Sequence, residues 1–118
     1  MIVIYGLKNC DSCRKAVKLV QEAGAAHRFH DLRGDGLPPA RLARWLEAVG
    51  WEALVNRRST TWRGLPEAEK ASLDAAGAGP LLARHPTLVK RPVIEAGEAV
   101  IVGLGADQQR ALKALLAG

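Results

Sequence analysis

The chain has 118 residues, enough for one domain with its own core and too few for two. Hydrophobic residues make up 48% and charged residues 25%, a composition that excludes a disordered or fibrous protein. The formal net charge is +5, but the basic residues are spread along the chain and aromatic residues reach only 4%, so direct nucleic-acid binding is not expected. The positive charge leaves an anionic substrate open.

No apolar run is long enough to cross a bilayer, and the start of the chain lacks the pattern of a secretory signal. The two cysteines, Cys10 and Cys13, close too small a loop to stabilise a secreted scaffold. We therefore expect a cytoplasmic protein without membrane contact, in which this pair has redox or metal chemistry.

The first third of the chain predicts a strand, a helix and a second strand. Residues 2–5 are β-branched and aromatic, as in a buried strand, and Gly6 is expected to end it. Apolar residues at spacings of three and four predict a helix from Cys10, with Gly24 as its stop. The alternation in His27–Asp31 then predicts the second strand.

The middle of the chain predicts a series of short helices. Pro38 and Pro39 can open one, because the first helical turn does not use its amide protons, and Gly50 is expected to end it. Further helical segments are predicted at residues 51–55, 66–73 and 80–84. Packing of these helices is expected to use the tryptophans Trp45, Trp51 and Trp62.

The last third predicts a hairpin and a helix. Strand-like residues 93–95 and 99–102 flank a turn centred on Gly97. Residues 108–116 then predict a helix, whose inward side chains are expected to be Leu112, Leu115 and Leu116.

The order of elements is β-α-β, a helical middle and β-β-α, which predicts an α/β thioredoxin-like fold with a mixed four-stranded sheet. The βαβ opening should make the first two strands parallel, and the hairpin adds antiparallel strands. We expect a single domain over residues 1–118, with a helical insertion at about residues 38–90.

Cys10 lies between the first strand and the first helix. The unpaired amides and the dipole at a helix start stabilise an anion there, which lowers the pKa of a thiol. Lys8, Arg14 and Lys15 add positive charge, while Asp11 opposes them. The sequence therefore predicts Cys10 as the attacking nucleophile.

Cys13 allows two interpretations. It shares a helical face with Cys10 and could resolve a mixed disulfide formed there, or it could be a small buried apolar residue. A zinc site is less favoured, because the chain has no second cysteine pair and its histidines have no ligand spacing: His27, His30 and His85. No metal is expected.

Three segments carry a family pattern: VIYGLKNCDSCRKA, GWEALVNRRSTTWRGL and HPTLVKRPVI. They resemble the arsenate-reductase-like family, which includes ArsC, the transcription regulator Spx and the YffB-type proteins. GLKNCD, RFHDLRGDGL, GWEALVN and TTWR are most like the YffB-type branch. The resemblance covers nearly the whole chain and implies a thioredoxin-like domain with a helical insertion and a catalytic cysteine at Cys10.

In arsenate reductases of this family, three arginines hold the oxyanion. Arg91 matches one of them, the second falls on Asn56 with Arg57 one step later, and the third falls near Gly103, where there is no arginine. A dianionic tetrahedral oxyanion needs several fixed donors, so arsenate reduction is less expected than thiol chemistry.

Pro92 resembles the cis proline that faces the active-site cysteine in thioredoxin-like folds; without the resemblance it would be a proline that opens a strand. The predicted catalytic residues are Cys10, Arg91 and, as a resolving residue, Cys13. Substrate binding is expected to use Lys8, Asn9, Arg14, Asn56, Arg57 and Pro92.

The YffB-type resemblance implies a glutathione-dependent thiol-disulfide reductase. Cys10 would attack a small disulfide or mixed disulfide, with glutathione as co-substrate and no bound cofactor. Two alternatives remain: an Spx-like redox-sensing transcription regulator that binds RNA polymerase, and an arsenate reductase with an incomplete arginine set. Glutaredoxin is a further protein partner compatible with the reductase.

Overall fold

The computed structural model describes residues 1–117. Its single sheet has four strands: β1 (Ile2–Gly6), β2 (His27–Asp31), β3 (Val93–Ala96) and β4 (Ala99–Val102). Their order is β2-β1-β3-β4, with β1 and β2 parallel and the other two pairs antiparallel. The predicted mixed sheet of an α/β thioredoxin-like fold is confirmed.

Gly6 belongs to β1, although the sequence placed it after the strand. It pairs with Asp31 of β2, and its carbonyl accepts a hydrogen bond from the Leu32 amide at 2.9 Å. Helix α1 (Asp11–Glu22) follows after a short loop. The parallel β1–β2 pair therefore holds the chain just before the first cysteine.

Five α-helices and a 3-10 turn follow β2: α2 (Pro39–Val49), α3 (Trp51–Leu54), α4 (Thr60–Arg63), α5 (Glu67–Ala71), α6 (Ala75–Arg84) and the turn Pro86–Leu88. Polar side chains begin two of them. The Ser59 hydroxyl accepts from the Trp62 amide at 3.1 Å, and the Asp74 carboxylate accepts from the Gly77 amide at 2.8 Å. Such caps satisfy amides that a short helix leaves unpaired.

The prediction that a helix starts at Pro80 was wrong, because α6 starts five residues earlier. Asp74 caps the helix there, and Pro80 lies inside it. The proline removes only its own amide, which would have bonded to the Ala76 carbonyl. The cap therefore decides where this helix starts.

The last helix, α7 (Ala106–Ala117), packs with α1 on the sheet. Ile4, Val20, Ile94 and Leu112 are fully buried in this core. Leu115 was expected to face inward but is 42% exposed, because the inward stripe of α7 runs from Leu112 to Leu116, four residues on. No helix among residues 1–117 combines the length and apolarity that crossing a membrane needs.

The chain divides into two units. We call Met1–Asp35 with Arg91–Gly118 the sheet unit, and Gly36–Lys90 the helical unit. Inside the helical unit, an isolated bridge pairs Val55 with Val89. A single domain over the whole chain stays a prediction.

Candidate active site

Cys10 is the N-cap residue of α1. Its backbone is extended, its amide donates to the Leu7 carbonyl at 3.3 Å, and its carbonyl accepts from the Arg14 amide at 3.0 Å. The side chain is half-buried. The sulfur thus lies at the amide end of a twelve-residue helix, where an anion is stabilised.

The pKa of Cys10 is lowered. Burial acts in the opposite direction and raises it, but hydrogen bonds from the Cys13 amide and the Cys13 side chain outweigh burial, together with a hydrogen bond and the positive charge from Arg91. The charge that lowers this pKa therefore comes from Arg91 rather than from the lysines next to Cys10 in the sequence. Three donors converge on one sulfur.

The Arg14 side chain bonds to residues close to it in sequence. The Arg14 Nε donates to the Lys8 carbonyl at 3.1 Å, and its guanidinium lies 3.7 Å from the Asp11 carboxylate. The Lys8 and Arg14 side chains are exposed, as is that of Asn9. Substrate binding by these three residues stays a prediction.

Cys13 lies one turn into α1 and is 1% exposed. Burial, first of all, and then the hydrogen bond and charge of the Cys10 thiolate raise the pKa of Cys13 to about 12; the Leu7 backbone and Arg91 act against this. Cys13 therefore keeps its proton and can donate it to Cys10 in a hydrogen bond. Both cysteines are free thiols in the structure.

The peptide bond between Arg91 and Pro92 is cis, as the resemblance implied. Pro92 is buried, and its carbonyl accepts from the Gly103 amide at 2.8 Å. This amide occupies the region where the family pattern would place a third arginine. The chain thus brings Cys10, Cys13 and Arg91 together within the sheet unit.

A cavity of about 270 Å³ opens beside Cys13. Its lining is mostly apolar and consists of Leu7, Lys8, Cys13, Arg14, Val17 and Phe29. Two cationic side chains at an otherwise apolar cavity suit a ligand with an anionic group.

Asn56 and Arg57 belong to the helical unit. The Asn56 side-chain oxygen accepts from the Arg58 amide at 3.1 Å. The Arg57 guanidinium lies 5.8 Å from the ring centre of Trp51 and 5.7 Å from that of Trp62. Stacking of this kind fixes a guanidinium and leaves its edge free to bind an anion.

Sequence reasoning missed two features of these sites. It assigned no donor role to Cys13 and no stacking partner to Arg57. The spacing of Cys10 and Cys13 on one helical face was the signal available for the first; the tryptophans gave no sign of stacking on an arginine. Among residues 1–117, no group of three or more His, Cys, Asp or Glu side chains could hold a metal ion.

A mixed sheet with a cysteine at the start of its first helix and a cis proline before its third strand defines a thioredoxin-like protein. Residues 5–112 match the model of the ArsC family, and the chain belongs to that family. The family predicted from the sequence motifs is thus confirmed.

Two relatives illustrate its range. An uncharacterized protein of Haemophilus influenzae is 43% identical over 111 residues, which cover 94% of this chain and 97% of that protein. The global transcriptional regulator Spx of Streptococcus pyogenes is 26% identical over 113 residues, which cover 94% of this chain and 84% of Spx.

Two solved structures are similar over nearly the whole chain. The YffB (PA3664) protein has a TM-score of 0.87 at 40% identity and covers 95% of this chain and 98% of its own. An arsenate reductase (ArsC) related protein from Brucella melitensis has a TM-score of 0.73 at 42% identity, with 93% and 92% covered. The predicted likeness to YffB-type proteins is confirmed.

Proposed function

We propose that this protein is a glutathione-dependent thiol-disulfide reductase with Cys10 as its nucleophile. One observation supports this most: the Cys13 amide, the Cys13 thiol and Arg91 all stabilise the Cys10 thiolate. A thiolate rather than a thiol attacks a disulfide, so a lowered pKa supplies more of the reactive form at neutral pH.

The reaction has two exchanges. The Cys10 thiolate attacks one sulfur of a disulfide, forms a mixed disulfide with it and releases the other sulfur as a thiolate. A glutathione thiolate then attacks the substrate sulfur of that mixed disulfide. This step frees Cys10 as a thiolate and leaves a glutathione–substrate disulfide, so the bonds and electrons balance.

An external thiol suits the second exchange better than Cys13. Cys13 is buried and holds its proton, whereas a resolving thiol must ionise and reach the mixed disulfide. Glutathione also carries carboxylates, which match the charge of the Lys8 and Arg14 side chains at the cavity beside Cys13. Glutathione as the co-substrate therefore agrees with the chemistry of Cys13.

The test compares wild type with Cys10→Ser and Cys13→Ser in the turnover of a glutathione mixed disulfide. Cys10→Ser should lose about 10³-fold or more of the rate, because the nucleophile is gone. Cys13→Ser should lose only severalfold, because the serine hydroxyl can still donate to Cys10. Undiminished turnover in Cys10→Ser would contradict the proposal.

The pH profile of Cys10 alkylation gives a second readout. In wild type, the rate should fall as the pH drops through the lowered pKa of Cys10, with a midpoint below the ordinary thiol value. Cys13 should not react in this range, since its pKa is about 12. A midpoint at the ordinary thiol value would contradict an activated nucleophile.

A regulator that binds RNA polymerase is the second candidate, favoured by the relation to Spx and by the hydrogen bond between the two thiols. A peroxide would then oxidise the Cys10 thiolate to a sulfenic acid, and the Cys13 sulfur would displace its hydroxyl group as water to form the Cys10–Cys13 disulfide. Purified RNA polymerase mixed with reduced and oxidised protein tests this: redox-dependent binding without turnover of mixed disulfides supports the regulator. Arsenate as substrate in the same turnover assay tests the third candidate.

A further inference from the structure

We propose that Gly6 is a positioning residue for the active-site thiols: because it has no side chain, the Cys13 sulfur can lie against β1 and donate to Cys10. The inference rests on the proposed role of Cys10 as nucleophile.

Gly6 of β1 lies directly against the Cys13 side chain of α1. A Cβ at this position would lie 2.3 Å from the Cys13 Sγ and 3.1 Å from the Cys13 Cβ. Real Cβ atoms essentially never come within 3.0 Å of another heavy atom, so any side chain here displaces the sulfur. The space that a Cβ would fill is occupied by the thiol.

The backbone conformation at position 6 does not require a glycine. Gly6 is absent from the positive-φ residues, which include Gly24 and Gly97, and it pairs with β2 as an ordinary strand residue. An L-residue could adopt its backbone, so the close approach to Cys13 is the requirement.

Side-chain rotation offers the easiest relief of the clash. The Cys13 Sγ can turn to another rotamer by rotation about the single Cα–Cβ bond, whereas β1 is held between β2 and β3. Such a turn carries the thiol away from Cys10. The Cys13 amide and Arg91 would remain as donors to Cys10, so the thiolate would be weakened rather than lost.

The test is Gly6→Ala in the full chain, with Gly64→Ala as the matched control. A Cβ at Gly64 would meet only backbone oxygens at 3.6 and 3.7 Å, in the helical unit. We expect Gly6→Ala to shift the alkylation midpoint of Cys10 upward by about one pH unit, a loss of about tenfold in rate at low pH. Gly64→Ala should leave the midpoint unchanged.

A double-mutant cycle separates this role from general damage. Cys13→Ala alone should raise the midpoint, and adding Gly6→Ala should raise it no further, because the thiol that Gly6 positions is already gone. An equal shift in both backgrounds, or no shift in folded Gly6→Ala, overturns the inference.

Folding provides a further control. Should Gly6→Ala fail to fold, Gly6→Ala/Cys13→Ala should fold, since the 2.3 Å contact is removed; an unfolded double variant overturns the inference. An ordinary Cys10 pKa in wild type refutes the proposed function. The Gly6 inference is refuted separately, when wild type and folded Gly6→Ala have the same alkylation midpoint.

Discussion

The sheet unit and the helical unit fix their polar groups in different ways. In the sheet unit, Cys10 is stabilised by Arg91, which follows it only after the whole helical unit. In the helical unit, Ser59 caps the amide three residues later, and Asn56 accepts from the amide two residues later. Strand pairing between distant segments thus brings the charge to Cys10 in one unit, while these two side chains of the other unit bond to amides close to them in sequence. Substitutions in the two units should therefore have different readouts.

The largest effect expected from this contrast is that of Arg91→Leu. It removes a hydrogen bond and a positive charge from the Cys10 thiolate, so the pKa of Cys10 should rise by about one to two units. At a pH below the wild-type midpoint, the alkylation rate should fall about 10- to 100-fold. Arg91→Lys should recover part of this, because it returns the charge without the planar donor geometry.

Arg84 provides the matched control for Arg91. It is an arginine of the helical unit and lies 3.4 Å from the Glu69 carboxylate. Arg84→Leu should leave the alkylation midpoint of Cys10 where it is. An unchanged Cys10 midpoint in Arg91→Leu would show that this distant arginine does not control the ionisation of Cys10.

A smaller effect is expected at Arg57. If its stacked guanidinium binds the carboxylate of a thiol substrate, Arg57→Ala should raise the KM by about three- to tenfold. The Cys10 midpoint should not move. Arg57→Lys should raise the KM almost as much, because an ammonium group does not stack on the rings of Trp51 and Trp62 as a guanidinium does. A shifted midpoint would show that this unit also controls the ionisation of Cys10.

The smallest effect is expected from the cap of α4. Ser59→Ala should lower the free energy of unfolding by about 1 kcal/mol, because the Trp62 amide loses its acceptor. Ser72→Ala is the comparison, since that hydroxyl donates back to the Ala68 and Glu69 carbonyls at 2.8 and 3.5 Å and satisfies no amide. Its removal should change stability less. Chemical denaturation measures both. Equal losses would show that the Ser59 cap contributes nothing beyond an exposed hydroxyl.

Much of the fold could be predicted because its elements have strong periodicity. The bounds of β2 and β4 matched the sequence prediction, as did the start of the last helix to within two residues. Cys10 could be placed at a helix start because a glycine-ended strand and an apolar helical repeat lie on either side of it. Pattern was sufficient for these features because they are local.

The remaining features depend on distances that no pattern contains. Gly6 looked like a strand breaker, yet it is a strand residue pressed against a thiol. The lysines near Cys10 suggested the source of its lowered pKa, but Arg91, distant in sequence, supplies the charge. Leu115 fits the helical repeat and is still exposed, because only one stripe of α7 meets the core. The distance between two side chains and the burial of a residue depend on the tertiary structure, so a local sequence pattern does not contain them.

The split of the sheet unit along the chain has a consequence for biosynthesis. A ribosome delivers both cysteines within residues 1–35 and adds Arg91 only after all of Gly36–Lys90 has been made. An unfinished chain therefore carries two thiols without the guanidinium that favours ionisation. Cys10 should gain its full reactivity only when the returning chain has added β3 to β1. The reactive form of the protein is in this way reserved for chains that have been completed.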